Sequence, residues 1–294
     1  MNIAVLRGGP SAKYDTSLQT GEYVLSILRK EPEKYRLKDV FISRDGLWHV
    51  EGRKYEPHAA LRSTDLVWNA LHDRRAGSES EVGQILSNLH IPYTGSSTFG
   101  LALALNKDLV KQAYITHSIP TPRYDVLGGE VGVEDLMHIF RTFLHPVVVK
   151  PVHGLEAGKP TLAQTFDDLK ESVASAFKHA ERVMVEELVR GAKATCAVVE
   201  GFRGEKLYSL MPQPARWRPE EHKLMEHYAR RAHEALGLRH YSVSSFIVTP
   251  KGKIYIVETE ALPEVTKSSD LIKSLSQTGI TPKEFVEHIV SIAA

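Results

Sequence analysis

The segment Ile254-Tyr255-Ile256-Val257-Glu258-Thr259-Glu260-Ala261-Leu262-Pro263 sets two carboxylates in alternation near a Leu-Pro break. Side chains two apart on a strand share a face. Glu258 and Glu260 together suit a hard cation, and magnesium carried with nucleotide phosphates is the usual occupant of such a pair. The preceding run Tyr241–Val248 and the turn Thr249-Pro250-Lys251-Gly252-Lys253 complete a β-hairpin. Ser245 stands in its first strand, where a further carboxylate would complete a metal cage. Lys150 ends the apolar run Pro146-Val147-Val148-Val149, just before a glycine-flanked loop at 154–158. A lysine so placed meets a phosphate as a point charge, and glycines let backbone amides approach anionic oxygens. A lysine lying along a strand end fits the same pattern. Glu186 and Glu187 follow a valine-rich strand, one facing a cleft and the other solvent, or they form a plain ion pair. Arg7-Gly8-Gly9 fits an anion nest or a tight turn, and His72 fits a cleft-edge contact or a satisfied loop histidine.

Those side chains need elements to hold them. The first hundred residues alternate strand and helix: strands at Ile3–Leu6, Val40–Ile42 and Asp65–Leu71, with helices at Ser17–Arg29 and Glu81–Leu89. This rhythm predicts a parallel sheet covered by helices, with ligands beyond the carboxyl ends of the strands. Leu105–His117 reads as a helix and Ser118-Ile119-Pro120-Thr121-Pro122 as a rigid linker. Strands at 146–151 and 182–189 around a helix at 166–179 predict a small α+β lid. A helix near Glu220–Leu236, the hairpin and a helix at Pro282–Ile292 predict a third unit.

Composition narrows the function classes. At 294 residues the chain is long for one core, so two or three subdomains are expected. A net charge of +1 argues against nucleic acid or an anionic membrane surface as partner. Cys196 is the single cysteine and sits in an apolar, strand-like run, so it reads as a small buried hydrophobe. The 14 histidines show no zinc-enzyme spacing. No apolar run approaches membrane-spanning length, and the N-terminus starts directly with a strand, so a cytoplasmic location is expected.

Taken in order, several pieces resemble the D-alanine–D-alanine ligase family of the ATP-grasp superfamily, over essentially the full length. They are Gly8-Gly9-Pro10-Ser11-Ala12 with Ser17-Leu18 and Gly21; Ala70-Leu71-His72; Ile91-Pro92-Tyr93-Thr94-Gly95-Ser96; Asn106-Lys107 with Lys111; Ile119-Pro120-Thr121-Pro122; Val149-Lys150-Pro151; Val185-Glu186-Glu187; and Tyr255–Glu258 with Leu262-Pro263. The resemblance implies a mixed α/β and α+β chain with the ATP-grasp fold. Its parts would be an N-terminal parallel βαβ (pre-ATP-grasp) subdomain at 1–104, a central lid at 105–185 and a C-terminal subdomain at 186–294. It implies ATP and Mg2+ as cofactors, amino-acid-like substrates and a homodimer. By the same resemblance Lys107 and Lys150 contact phosphates, Glu186 lies at the adenine end, Glu187 and Leu188 line the hinge, and Glu258 bridges magnesium ions.

The departures fall on the chemistry. Val243 and Ser245 replace the family's arginine and metal-binding aspartate, which removes an oxyanion cation and a metal ligand. Glu260 replaces an asparagine and supplies a carboxylate, and Glu264 replaces a glycine. Lys13 and Lys193 replace glutamates assigned to the substrate ammonium and the ribose. The lid loop reads Gly154-Leu155-Glu156-Ala157-Gly158, without hydroxyls, and His72–Glu79 lacks the family's glycine-rich pattern. Leu207–Leu210 runs through Pro212-Gln213-Pro214 almost directly into a helix, without the loop that shields a reactive acyl phosphate from water. Losing one oxyanion-type donor costs roughly 3–4 kcal/mol in such chemistry. Efficient D-alanyl ligation is therefore not expected. The remaining readings are an ATP-grasp ligase for a different carboxylate and amine, and a non-catalytic nucleotide-binding or structural relative.

Overall fold

A computed structural model of the chain describes residues 1–72, 79–153 and 160–294. The N-terminal unit runs β1 (Asn2–Gly8), α1 (Tyr14–Leu28), β2 (Arg36–Ile42), β3 (Trp48–Val50), β4 (Arg53–Tyr55), α2 (Pro57–Ala60), β5 (Leu66–Asn69), α3 (Glu79–Asn88) and α4 (Thr98–Leu105). Its sheet has the order β4-β3-β2-β1-β5. β1 pairs in parallel with β2 and β5, as the βαβ rhythm requires. β3 and β4 add an antiparallel hairpin at one edge. At three residues each, they are too short to carry a readable alternation.

The central unit follows α5 (Lys107–Thr116) and contains β6 (Tyr124–Gly128), α6 (Val133–Thr142), β7 (Val147–Pro151), β8 (Thr161–Ala163), α7 (Phe166–Phe177) and β9 (Arg182–Glu187). Its antiparallel sheet has the order β6-β9-β7-β8. The C-terminal unit comprises β10 (Ala192–Glu200), β11 (Leu207–Ser209), α8 (Pro219–Ala235), β12 (Tyr241–Val248), β13 (Ile254–Glu260), α9 (Asp270–Gln277) and α10 (Pro282–Ala293). Its strands lie in the order β11-β10-β12-β13.

Core packing shows which of these units are tied together. Ile3, Val5 and Trp68 of the first sheet share one core with Tyr241, Phe285 and Ile289 of the last unit. Val110 and Tyr114 of α5 pack with Met225, Phe246 and Ile256, so this helix belongs to the C-terminal core. Leu127, Val149, Leu169 and Val185 form a separate core within the central unit. Burying apolar surface is the main cohesive force. The first and last units are thus welded together, and the central unit packs around a core of its own.

Caps fix the elements that carry site residues. The Asn106 side chain accepts from the amides of Asp108 and Leu109 (3.1 and 3.2 Å), starting α5 and placing Lys107 in its first turn. The segment joining β11 to α8 is fastened to β10. The Thr195 amide donates to the Gln213 carbonyl (2.9 Å), and the Gln213 amide donates back (2.8 Å).

Candidate functional site

A cavity of about 390 Å³ is lined by residues from all three units. Its walls include Lys107, Lys150, Glu186, Glu187, Leu188, Glu258 and Glu260. Strand alternation places the two C-terminal carboxylates. Thr259 points the other way and is buried, accepting from Tyr114 Oη (2.7 Å) and sharing a hydrogen bond with Ser244 Oγ (2.9 Å). Glu258 and Glu260 are left on the cavity side. Register pairs Ser245 with Glu258 and Val243 with Glu260, and a bulge follows Ser245. Val243 packs into the shared N- and C-terminal core, 7 % exposed. Neither residue adds a charge to this wall.

At the end walled by the central unit the chemistry is densest. Glu186 on β9 lies between two ammonium groups. Lys150 Nζ on β7 donates to its Oε1 (2.9 Å), and Lys111 Nζ on α5 is ion-paired with its Oε2. Lys111 also donates to Thr121 Oγ1 (2.6 Å), which donates to the Ile256 carbonyl of β13 (2.9 Å). Lys111, Lys150 and Glu186 are 1 %, 9 % and 5 % exposed. One carboxylate serves two cations, so the cluster carries excess positive charge. Burial pushes Lys111 down to about 8, offset by Glu186 and reinforced by the like charge of Lys150. Burial raises the Glu186 carboxyl, but the combined pull of both lysines outweighs it and holds that carboxyl below the ordinary value.

The remaining candidate residues have these partners. Gly8 and Gly9 (φ +94° and +90°) form a tight turn, not an anion nest. The Gly8 amide donates to Ser17 Oγ and the Gly9 amide to the Ile42 carbonyl, both at 2.8 Å. A Cβ on Gly8 would lie 2.1 Å from the Ile42 carbonyl oxygen. Arg7 is taken by Asp39 at 2.6 Å. His72 contacts Thr20 Oγ1 and the Leu262 carbonyl through its two ring nitrogens, each at 3.0 Å, although it also lines the cavity. Lys13 does not face the cavity as a reversed charge. It pairs with Glu264 at 3.1 Å, so two separate departures neutralise each other. Lys193 is exposed on β10 and not part of the described cavity lining. Cys196 is buried, which raises its thiol pKa. Glu156 and the rest of the lid loop at 154–159, with residues 73–78 of the His72–Glu79 segment, lie outside the described residues.

The sequence reading named Lys111 only as a piece of the resemblance and gave it no role. Its signal was present: four residues after Lys107, it lies on the same face of α5. Val189, Ile247 and Val257 also line the cavity, and nothing in their side-chain chemistry marks them in the sequence.

The fold is the ATP-grasp fold. The structure superposes on a D-Ala:D-Ser ligase, VanG, from Enterococcus faecalis with a TM-score of 0.85 at 21 % identity, covering 100 % of this chain and 99 % of that one. A D-alanine–D-alanine ligase from Coxiella burnetii gives 0.85 at 20 % identity, covering 100 % and 95 %. In sequence, the D-alanine–D-alanine ligase of Clostridium beijerinckii is 27 % identical, covering 99 % of this chain and 97 % of the relative. That of Aquifex aeolicus is 28 % identical, covering 99 % and 100 %. The family model "D-ala D-ala ligase C-terminus" matches residues 116–212 and 204–291, and the chain belongs to that family. The two matched stretches join at 204–212, where the chain passes directly from β11 toward α8.

Proposed function

We propose that this cavity binds Mg-ATP and that the protein is a ligase-type ATP-grasp protein whose acid substrate is not D-alanine. The observation that carries the reading is the shared cavity of Lys107, Lys150, Glu258 and Glu260, in which the two lysines meet two glutamates more than a hundred positions further along the chain. The donor set fits magnesium held jointly with phosphates. Among the described residues no group of three or more acidic, histidine or cysteine side chains forms a metal cage. Mg2+ is commonly held by one or two carboxylates plus substrate phosphates, which is what Glu258 and Glu260 offer. Lys107 and Lys150 supply cations for phosphate oxygens, and the Glu186–Val189 segment offers backbone and apolar surface to a base. The bound nucleotide would supply the phosphoryl group that activates a carboxylate, with the metal offsetting its charge.

The departure from D-alanine chemistry rests on the same wall. Val243 is packed in the core opposite Glu260, and Lys13 is paired with Glu264. No residue of 207–218 is part of the described cavity lining. These features also support a second reading, a nucleotide-binding relative without turnover. A lid formed by β6–β9 (Tyr124–Glu187), without the 105–123 stretch whose helix α5 packs into the C-terminal core, and a homodimer formed through the N-terminal unit complete the proposal.

A thermal-shift titration with Mg-ATP tests the binding step. At about a hundred times the dissociation constant, a ligand adds roughly 2.7 kcal/mol of stability. The expected result is a magnesium-dependent rise in Tm. No shift at millimolar nucleotide overturns the proposal. Release of ADP on adding an acid and an amine separates the ligase from the non-catalytic reading.

A further inference from the structure

The end of the cavity built by the N-terminal unit differs in kind from the end built by the lid. It is walled by Leu71, Val82, Tyr93, Leu101, Leu105 and Leu262. Leu71 is buried and the other five are partly exposed, so their uncovered surface faces a concave space. Two polar side chains at this end are already engaged. Asn69 Oδ1 accepts from the Leu71 amide (3.0 Å), and both ring nitrogens of His72 have partners at 3.0 Å. No lysine, arginine, aspartate or glutamate of the N-terminal unit is part of the described lining. The nearest family position for a charge, Lys13, is closed by Glu264 outside that lining.

Among the described residues of the N-terminal lining, a zwitterion as small as alanine would find no counter-charge, and it would leave most of the wall in water. A hydrocarbon body would bury it. Resting on the reading of the cavity as a nucleotide-dependent ligase site, we infer that the acid substrate is an apolar carboxylate. Its aliphatic or aromatic body is seated against Leu71, Val82, Leu101 and Leu262, and its carboxylate points toward the Lys107 and Lys150 end. The N-terminal wall selects by hydrocarbon area, and the lid end supplies the charges.

The test is calorimetric binding of butanoate, hexanoate, octanoate, 3-phenylpropanoate and D-alanine to the full chain, with and without Mg-ATP. Each methylene buried against this wall should raise affinity about fourfold, so hexanoate and octanoate bind progressively tighter than butanoate. D-alanine binds weakest. Leu101→Asn, at a partly exposed position of α4, flattens the series, and Val82→Asn does the same independently. A flat series, or D-alanine binding tighter than hexanoate, overturns the inference even where Mg-ATP binds. A steep series without any Mg-ATP binding upholds the apolar wall and overturns the ligase reading. Binding of neither overturns both.

Discussion

The two ends of the cavity were built by different rules. At the end walled by the central unit, Lys150 and Glu186 stand on neighbouring strands of one sheet, and Lys111 reaches them from α5. Three charges are held there in nearly complete burial. At the N-terminal end, α3, α4 and the strand ends offer hydrocarbon and no charge among the described residues. Buried charge is tolerated only where each group is paired, because an unpaired one is expensive. Hydrocarbon needs no partner and tolerates drift in identity so long as volume is kept. The charged end is therefore fixed by mutual need, and the apolar end is free to follow its ligand.

The largest break in that comparison should come from Glu186. Glu186→Gln leaves Lys111 and Lys150 buried without a counter-charge and should destabilise the fold by about 3–5 kcal/mol in denaturant unfolding. Adding Lys111→Met should restore part of this loss. If Glu186→Gln is neutral, the cluster is not the structural anchor described above. Next in size, Lys150→Met should weaken Mg-ATP roughly ten- to a hundredfold in calorimetry, the cost of a hydrogen bond to a charged group. The methylene dependence of alkanoate binding should survive that change.

Lys111 gives a pH signature. Its folded pKa, about 8, lies below the ordinary lysine value of 10.5. Between those values the unfolded chain keeps a proton that the folded chain has released, so stability rises with pH across the window. The rise attributable to this residue should be about 1–3 kcal/mol and should vanish in Lys111→Met. A window of unchanged slope in the variant would show that Lys111 does not titrate there. The smallest effect belongs to the Lys13–Glu264 pair, whose side chains are about 40 % exposed. A double-mutant cycle of Lys13→Ala and Glu264→Ala should give a coupling of about 0–1 kcal/mol. A larger coupling would make this pair a clamp between the first and last units.

Legibility followed periodicity. The 241–260 hairpin, the helix from Pro219, the terminal helix and the strand ending at Lys150 were readable because each repeats its pattern over several residues. α4 was not, since Thr98–Leu105 is apolar on nearly every side and has no polar face to set a period. α6 and the β3–β4 hairpin were also absent from the sequence reading. α5 was readable as a helix, but only packing assigns its Val110 and Tyr114 to the C-terminal core.

The sequence by itself determined which residue types the site can offer: an alternating pair of glutamates on a strand, lysines at the start of a helix and the end of a strand, and no arginine or aspartate at positions 243 and 245. Those follow from local geometry, in which neighbours along the chain share a face. Only the tertiary structure decided who meets whom. Lys13 and Glu264 lie 251 positions apart, and Lys150 and Glu186 lie 36 apart, yet each pair closes to about hydrogen-bond distance. Such contacts depend on how separate sheets and helices stack, and stacking is set by the sum of many weak apolar contacts that no single stretch of sequence displays.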